Sequence, residues 1–249
     1  MSSDEMFNWP DGDVILRATH GTDSRDFRVH KLFLSFASPI FKDMFKVPQP
    51  SPSSSNVDII DVTDPPRTLE LILRFIYPFA SPVINDLTTL SDVLILADKY
   101  DIEAARSRLR PCLAELAKTE PLRVYAIACR LGFEDEMKIA SSHTTSIDLS
   151  ELTQLPEEFK PIPSTEYHRL VRLRGKYRKA VVAIAARKPF SNLNRRVPIV
   201  DCVMKGAPLE YDPFAAVLKK DFAVDVEYED VENQIRSFLV QVKALNLTV

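Results

Sequence analysis

Side chains able to ligate a metal, or to act as nucleophile and base, are few in this sequence. Four histidines and three cysteines are spread over 249 residues. A metal centre needs such groups converging at close spacing, and the chain has no C-x-x-C, H-x-x-x-H or H-E-x-x-H. The G-x-S-x-G nucleophile turn, the P-loop and the dinucleotide fingerprint are also missing. Only 5 glycines stand against 18 prolines, so little backbone can approach a phosphate closely. These residues point to no enzyme, no metal and no cofactor. Cys112 and Cys129 fall on expected helices and read as small core residues. His30 reads as a packing or hydrogen-bonding residue at a helix start. His20 lies in a loop, His143 ends a helix, and His168 stands beside Arg169.

The other available chemistry is electrostatic. Twelve Lys or Arg residues fall between Lys160 and Lys205. Within them Arg169, Arg172, Lys176 and Lys179 recur at helical spacing and form a basic face. Such a stripe can neutralise phosphates, which makes a nucleic-acid-associated regulator one reading. Two others stand beside it: a plain solvated face, and internal docking against the acidic stretch from Asp221 to Glu232. Net charge is -3 overall, with a basic middle and an acidic end. Tyr167 and Tyr177 share the spacing of apolar residues, so they read as packing rather than base-stacking groups.

A chain of 249 residues can form one large domain or two small ones. Its 45% hydrophobic and 27% charged residues favour a globular protein over a disordered one. Sparse, separated cysteines fit a reducing compartment. MSSDEMF carries no signal pattern, and no apolar run approaches the ~20 residues of a membrane span. The expected location is cytoplasmic or nuclear.

The elements that would position these groups can be read in order. Residues 1–12 are polar, with a turn at Trp9-Pro10-Asp11-Gly12. Val14, Leu16 and Ala18 alternate with Ile15, Arg17 and Thr19, a strand pattern. Phe27 and Val29 continue a second strand. Lys31 to Ala37 is a short helix ending before Pro39, which opens another to Lys46. VPQPSPSSSN, residues 47–56, is a loop, and its Ser51–Ser55 run is a candidate phosphorylation segment. Val57 to Val62 is a strand with Val57 and Ile59 on one face. Asp64 reads as the cap of a helix carrying Leu69, Ile72, Leu73 and Ile76. Leu90, Val93, Leu94, Ala97 and Tyr100 mark the next helix. Asp101 reads as the cap of a third, which Pro111 kinks or ends. Further helices are expected from Thr119 with Pro121 to Gly132, from Glu134 to about Thr144, from a cap at Ser164 or Thr165 to about Arg187, from Phe214 to about Phe222 and from Asp230 to about Leu245. Tyr167, Leu170, Val171, Tyr177, Val181 and Ile184 form the stripe of the long one.

The order of strands and helices over residues 13–116 resembles the BTB/POZ domain. The likeness is carried by Asp13-Val14-Ile15-Leu16, by Phe27-x-Val29-His30-Lys31, and by Leu34-Ser35-x-Ala37-Ser38-Pro39-x-Phe41-x-x-Met44-Phe45. Leu73-x-Phe75-Ile76-Tyr77 and Ala97-Asp98-Lys99-Tyr100-Asp101-Ile102 complete it. Blocks such as Phe-Arg-Val-His-Lys and Val-Pro-Gln-Pro look like those of fungal members from mushrooms and filamentous species. The resemblance implies an α+β fold, a small β-sheet with a cluster of α-helical hairpins, at residues 1–118. An all-α C-terminal extension would occupy residues 119–249.

It also implies a non-enzymatic protein–protein interaction module, an adaptor or scaffold whose partner is another protein. Asp13 and Lys31 match the family's charged pair, implied either to fix the hairpin onto the helices or to meet a partner. Met44 and Phe45 are the further implied contact residues. A homodimer is one implied assembly, set against the twelve residues before Asp13, which hold Pro10 and Gly12 rather than the long leading helix of many dimeric members. Cullin-3 is the partner of the adaptor members, set against residues 46–56, which lack the glutamate of their hydrophobic-x-Glu motif.

Overall fold

The computed structural model describes residues 6–47, 57–144, 147, 149, 152–185, 203 and 228–245. The chain forms two compact units, Met1–Glu115 and Leu116–Val249.

The first unit is built on a three-stranded sheet. β1 (Val14–His20) and β2 (Asp23–Val29) form an antiparallel hairpin, and β3 (Asp58–Val62) lies parallel to β1, giving the order β2-β1-β3. Val14, Leu16 and Ala18 of β1 are buried together with Phe27 and Val29 of β2. On β3 the buried residues are Ile60 and Val62, while Ile59 is exposed. The face marked by Val57 and Ile59 is therefore the outer one. The register decides this: Ile60 pairs with Leu16, and residues paired across a ladder share a face.

Helices cover the buried face. α1 (Lys31–Ala37) and α2 (Pro39–Met44) break at Ser38, whose Oγ accepts from the Phe41 amide at 3.0 Å. α3 (Pro66–Ile76) buries Leu69, Ile72, Leu73 and Phe75. Asp64 does not cap it; Pro65 holds the cap position with no side-chain hydrogen bond. α4 (Leu87–Lys99) is capped by Asp86, whose carboxylate accepts from the Thr89 amide at 2.7 Å.

Asp101 closes α4 rather than capping the next helix. Its φ is 50°, and the Ile102 amide donates back to the Ala97 carbonyl at 2.7 Å, a left-handed helix end. α5 (Glu103–Leu116) does not end at Pro111 but contains it. Pro111 is exposed, so the carbonyl it leaves without a donor faces water. The buried stripe of Ala105, Leu109 and Leu113 continues past it.

Residues 6–12 are less polar in role than in composition. Phe7 is buried at a φ of 71°. The Trp9 amide donates to the Arg28 carbonyl at 3.1 Å, along the outer edge of β2. Gly12 has no room for a side chain, since a Cβ there would lie 2.9 Å from the Val29 carbonyl oxygen.

The second unit is helical among its described residues. α6 (Pro121–Leu131) and α7 (Glu134–His143) are joined through Gly132, left-handed at φ 69°. A 3₁₀ turn at Glu157–Phe159 precedes α8 (Ser164–Ala185), and α9 (Tyr228–Lys243) packs on α8. On α8 the buried stripe is Leu170, Leu173, Tyr177 and Val181. Leu173 was absent from the expected stripe, and Val171, which was in it, is exposed. The Phe214–Phe222 helix, the Ser51–Ser55 segment, Cys202 and the docking of the acidic stretch lie outside the described residues or side chains. No helix among those described is long and apolar enough to cross a membrane.

Candidate interaction site

KLFLSFA is too apolar for a helix of seven residues to bury entirely. Leu34 takes the inward position of α1. Leu32 and Phe36, one turn apart on the same face, are left 69% and 89% exposed. Phe33 and Ile40 widen the patch at 38% and 43% exposure. Single exposed apolar residues are ordinary on a protein surface; a contiguous set of large ones marks an interaction surface.

The helix that carries the patch is fixed by polar contacts at both ends. At its start the Lys31 amide donates to the Asp13 carboxylate at 2.8 Å. The Lys31 ammonium turns instead to Asp58 on β3. The two family-matched residues thus meet, but through the backbone of one, and the ion pair belongs to an aspartate that the sequence comparison did not single out. Asp13 ties the hairpin to the helix start, where amides lack partners, and Asp58 ties β3 to the same lysine.

His30 adds a second fixing point. Its backbone amide donates to the Tyr77 hydroxyl oxygen at 2.8 Å, and its Nδ1 lies 3.0 Å from that oxygen. Its Nε2 is 3.4 Å from Asp11. Around it Trp9 lies parallel to Tyr77 at 6.3 Å, and Phe33 meets Tyr77 at 4.8 Å. Phe7 packs edge-on against Phe27, Tyr77 and Phe79 at 6.5, 5.5 and 5.7 Å. This aromatic cluster joins the segment before β1 to the end of α3. Sequence reasoning missed it; its signal was two large aromatics, Phe7 and Trp9, inside a stretch read as polar.

At the far end of α1, buried Ser38 donates from Oγ to the Tyr100 carbonyl at 2.5 Å. The Tyr100 ring stacks on Phe41 at 4.4 Å. Its hydroxyl donates to Asp64, which also accepts from Lys99 at 2.6 Å. A buried polar chain therefore links the α1–α2 break, the end of α4 and the start of α3. Met44 and Phe45 are half-buried beside it, with Phe45 stacked at 6.1 Å on Phe41.

Two expectations about chemistry change with the structure. Cys112 is exposed rather than a core residue, because it falls on the solvent side of α5 next to Pro111. Cys129 is half-buried, 3.3 Å from the Met137 sulfur. No cluster of three His, Cys, Asp or Glu suited to a metal occurs among the described residues.

The basic face of α8 is present as spaced. Arg169, Arg172, Lys176 and Lys179 are all exposed. Arg169 pairs with Glu166 at 3.0 Å. Among the described residues no carboxylate pairs with Arg172, Lys176 or Lys179.

Several acids here are held in their neutral form by burial. Burial pushes the Tyr77 phenol up to about 12, with Asp13 and Asp11 adding to it and the His30 amide opposing. Burial and then Asp64 raise Tyr100, and burial raises Tyr125 and Tyr177. Burial also takes the Cys129 thiol up to about 11. In the unfolded chain these groups ionise near their ordinary values, ~8.5 for Cys and ~10 for Tyr. Above those values the unfolded state has released protons that the fold retains, so stability falls with rising pH. The contribution of these groups is expected to be complete below about pH 8.5 and to be lost progressively toward about pH 12. Urea midpoints that stay constant between about pH 8 and about pH 11 would contradict this.

Comparison with known proteins gives a consistent result. The BTB/POZ domain family matches residues 8–115. "TD and POZ domain-containing protein 5" of Mus musculus is 24% identical over 143 residues, 57% of this chain and 41% of that protein. "Kelch-like ECH-associated protein 1A" of Danio rerio is 32% identical over 132 residues, 53% of this chain and 20% of that protein. The chain thus spans less than half the length of either relative.

Proposed function

We propose that this chain, whose residues 8–115 match the BTB/POZ domain family, acts without catalysis as an adaptor that presents the α1–α2 face to another protein. One observation carries the reading: Leu32, Phe33, Phe36 and Ile40 are exposed on a helix pair tied down at its start by Asp13 and at its central break by Ser38. Burying a large apolar side chain contributes about 1.5–3 kcal/mol. Four such side chains on a preorganised support can supply a binding core, with little ordering cost left at binding.

A second copy of the chain is the first occupant to test. Phe36→Asp removes the most exposed member of the patch. Because Phe36 supports nothing in the core, thermal stability is expected to stay within about 0.5 kcal/mol of the parent. Self-association measured by light scattering is expected to weaken at least about thirtyfold. A parent chain that stays monomeric at high micromolar concentration would exclude the second copy and leave the face to a different protein. Cullin-3 is then the next partner to assay, by the same pair of proteins in a pull-down.

The basic face of α8 supports a second reading, association with nucleic acid. The open charges of Arg172, Lys176 and Lys179 favour it. Saturable duplex binding that weakens steeply with salt would establish that reading; its absence at physiological salt is the expected result. A cytoplasmic or nuclear location fits the sparse cysteines, and blocks such as Phe-Arg-Val-His-Lys resemble those of fungal members.

A further inference from the structure

Residues 77–86 connect α3 to α4 without regular structure. Within them Ser81 is exposed and stands directly before Pro82. A residue before proline is held in the extended region, the shape in which a peptide enters a kinase cleft. Arg108, on α5, donates from a guanidinium nitrogen to the Ser81 Oγ at 2.6 Å. Among the described residues no carboxylate pairs with Arg108. Its neighbour Arg106, by contrast, is held by Asp98, Asp101 and Glu103. The cation beside Ser81 is therefore the one whose charge is not already spent. Of the other Ser-Pro steps, Ser38 is fully buried with its Oγ engaged twice, and Ser51 lies outside the described residues.

We propose that Ser81 is a phosphorylation site for a proline-directed serine/threonine kinase, with Arg108 as the built-in receiver of the phosphate. In the transfer, the Ser81 Oγ forms a bond to the γ-phosphorus of ATP. The bond from that phosphorus to the β,γ-bridging oxygen breaks, ADP leaves, and the hydroxyl proton passes to the kinase's base. The product carries close to two negative charges and three acceptor oxygens. It replaces a single guanidinium-to-hydroxyl hydrogen bond by a bidentate ion pair between Arg108 and the phosphate. The effect is to pin residues 78–86 onto α5.

That segment bears Phe79, half-exposed, and Val83, 83% exposed. Phe79 stacks with Tyr77 at 6.1 Å, and Tyr77 in turn meets Phe33 of the α1 patch. Phosphate at Ser81 would thus rigidify the flank of the same apolar surface. The inference holds whether the partner is a second copy or a different protein.

The test uses the full chain, a purified proline-directed kinase and ATP, read by peptide mass mapping and hydrogen exchange. Phosphate is expected at Ser81 in the native chain and absent there in Ser81→Ala. Exchange across residues 78–86 is expected to slow about tenfold on phosphorylation. Arg108→Gln is expected to leave the modification intact and abolish the slowing. An unmodified Ser81 would overturn the proposal. So would a modified Ser81 with unchanged exchange, or slowing of equal size in Arg108→Gln.

Discussion

Replacing Phe7 with alanine is expected to lower the unfolding free energy of the first unit by about 3–5 kcal/mol, the usual cost of emptying a buried phenylalanine site. Phe7 is 1% exposed and packs on Phe27, Tyr77 and Phe79, so its removal opens a hole between β2 and the end of α3. The backbone adds a second, separable effect. A φ of 71° is strained for any residue with a Cβ, by about 1–3 kcal/mol. Phenylalanine tolerates it because the ring contacts outweigh that strain. Alanine keeps the strain and loses the ring, whereas glycine loses both. Phe7→Gly is therefore expected to be less destabilising than Phe7→Ala by about 1 kcal/mol. Chemical denaturation of the two variants decides the point: equal losses, or a larger loss for glycine, would mean the backbone there is not strained.

Asp64→Ala is the second large expected loss, about 2–3 kcal/mol. The carboxylate is 7% exposed and accepts from both Tyr100 and Lys99. The two donors are not equally dependent on it. Lys99 has a side chain 45% exposed, so its ammonium can turn to water. The Tyr100 hydroxyl is enclosed and would keep an unsatisfied donor, which is where most of the cost arises. Tyr100→Phe in the Asp64→Ala background should therefore restore about 1 kcal/mol, since both buried polar partners are then gone. In the parent background the same Tyr100→Phe change should be destabilising. Measured by a double-mutant cycle, additive losses would show that the two groups are not coupled.

How far the sequence could be read varies with the kind of contact involved. Alternation in Val14, Leu16 and Ala18 and the breaks at Ser38-Pro39 and Gly132 are local, and they predicted their elements. The exposed basic face of α8 followed from spacing alone. Asp64 and Asp101 were misassigned for one shared reason. An aspartate before a helix is a cap by local rule, but each here has a stronger non-local or reversed role. Asp64 is claimed by Tyr100, 36 positions away. Asp101 closes the preceding helix in a left-handed conformation. Cys112 was placed inside because it lies on a helix, while only the packed stripe of α5 decides which side of that helix is wet.

The candidate site shows the same division. The run Lys31–Ala37 announced a helix with more apolar residues than one face can bury. Nothing local to it says which of them stay outside. That follows from the helices it packs on: α1 lies against α2 and α3 and buries Leu34 alone.

The sequence by itself determined the order of strands and helices, the likeness carried by five short blocks, and the lack of metal or nucleophile motifs. All of these depend on residue type and near spacing. Tertiary structure alone decided the partner of Lys31, the burial of Phe7, the exposure of Leu32 and Phe36, and the meeting of Ser81 with Arg108. Each of those is set by which distant surfaces close on one another, because free energy of burial and of paired charge depends on neighbours in space rather than in sequence.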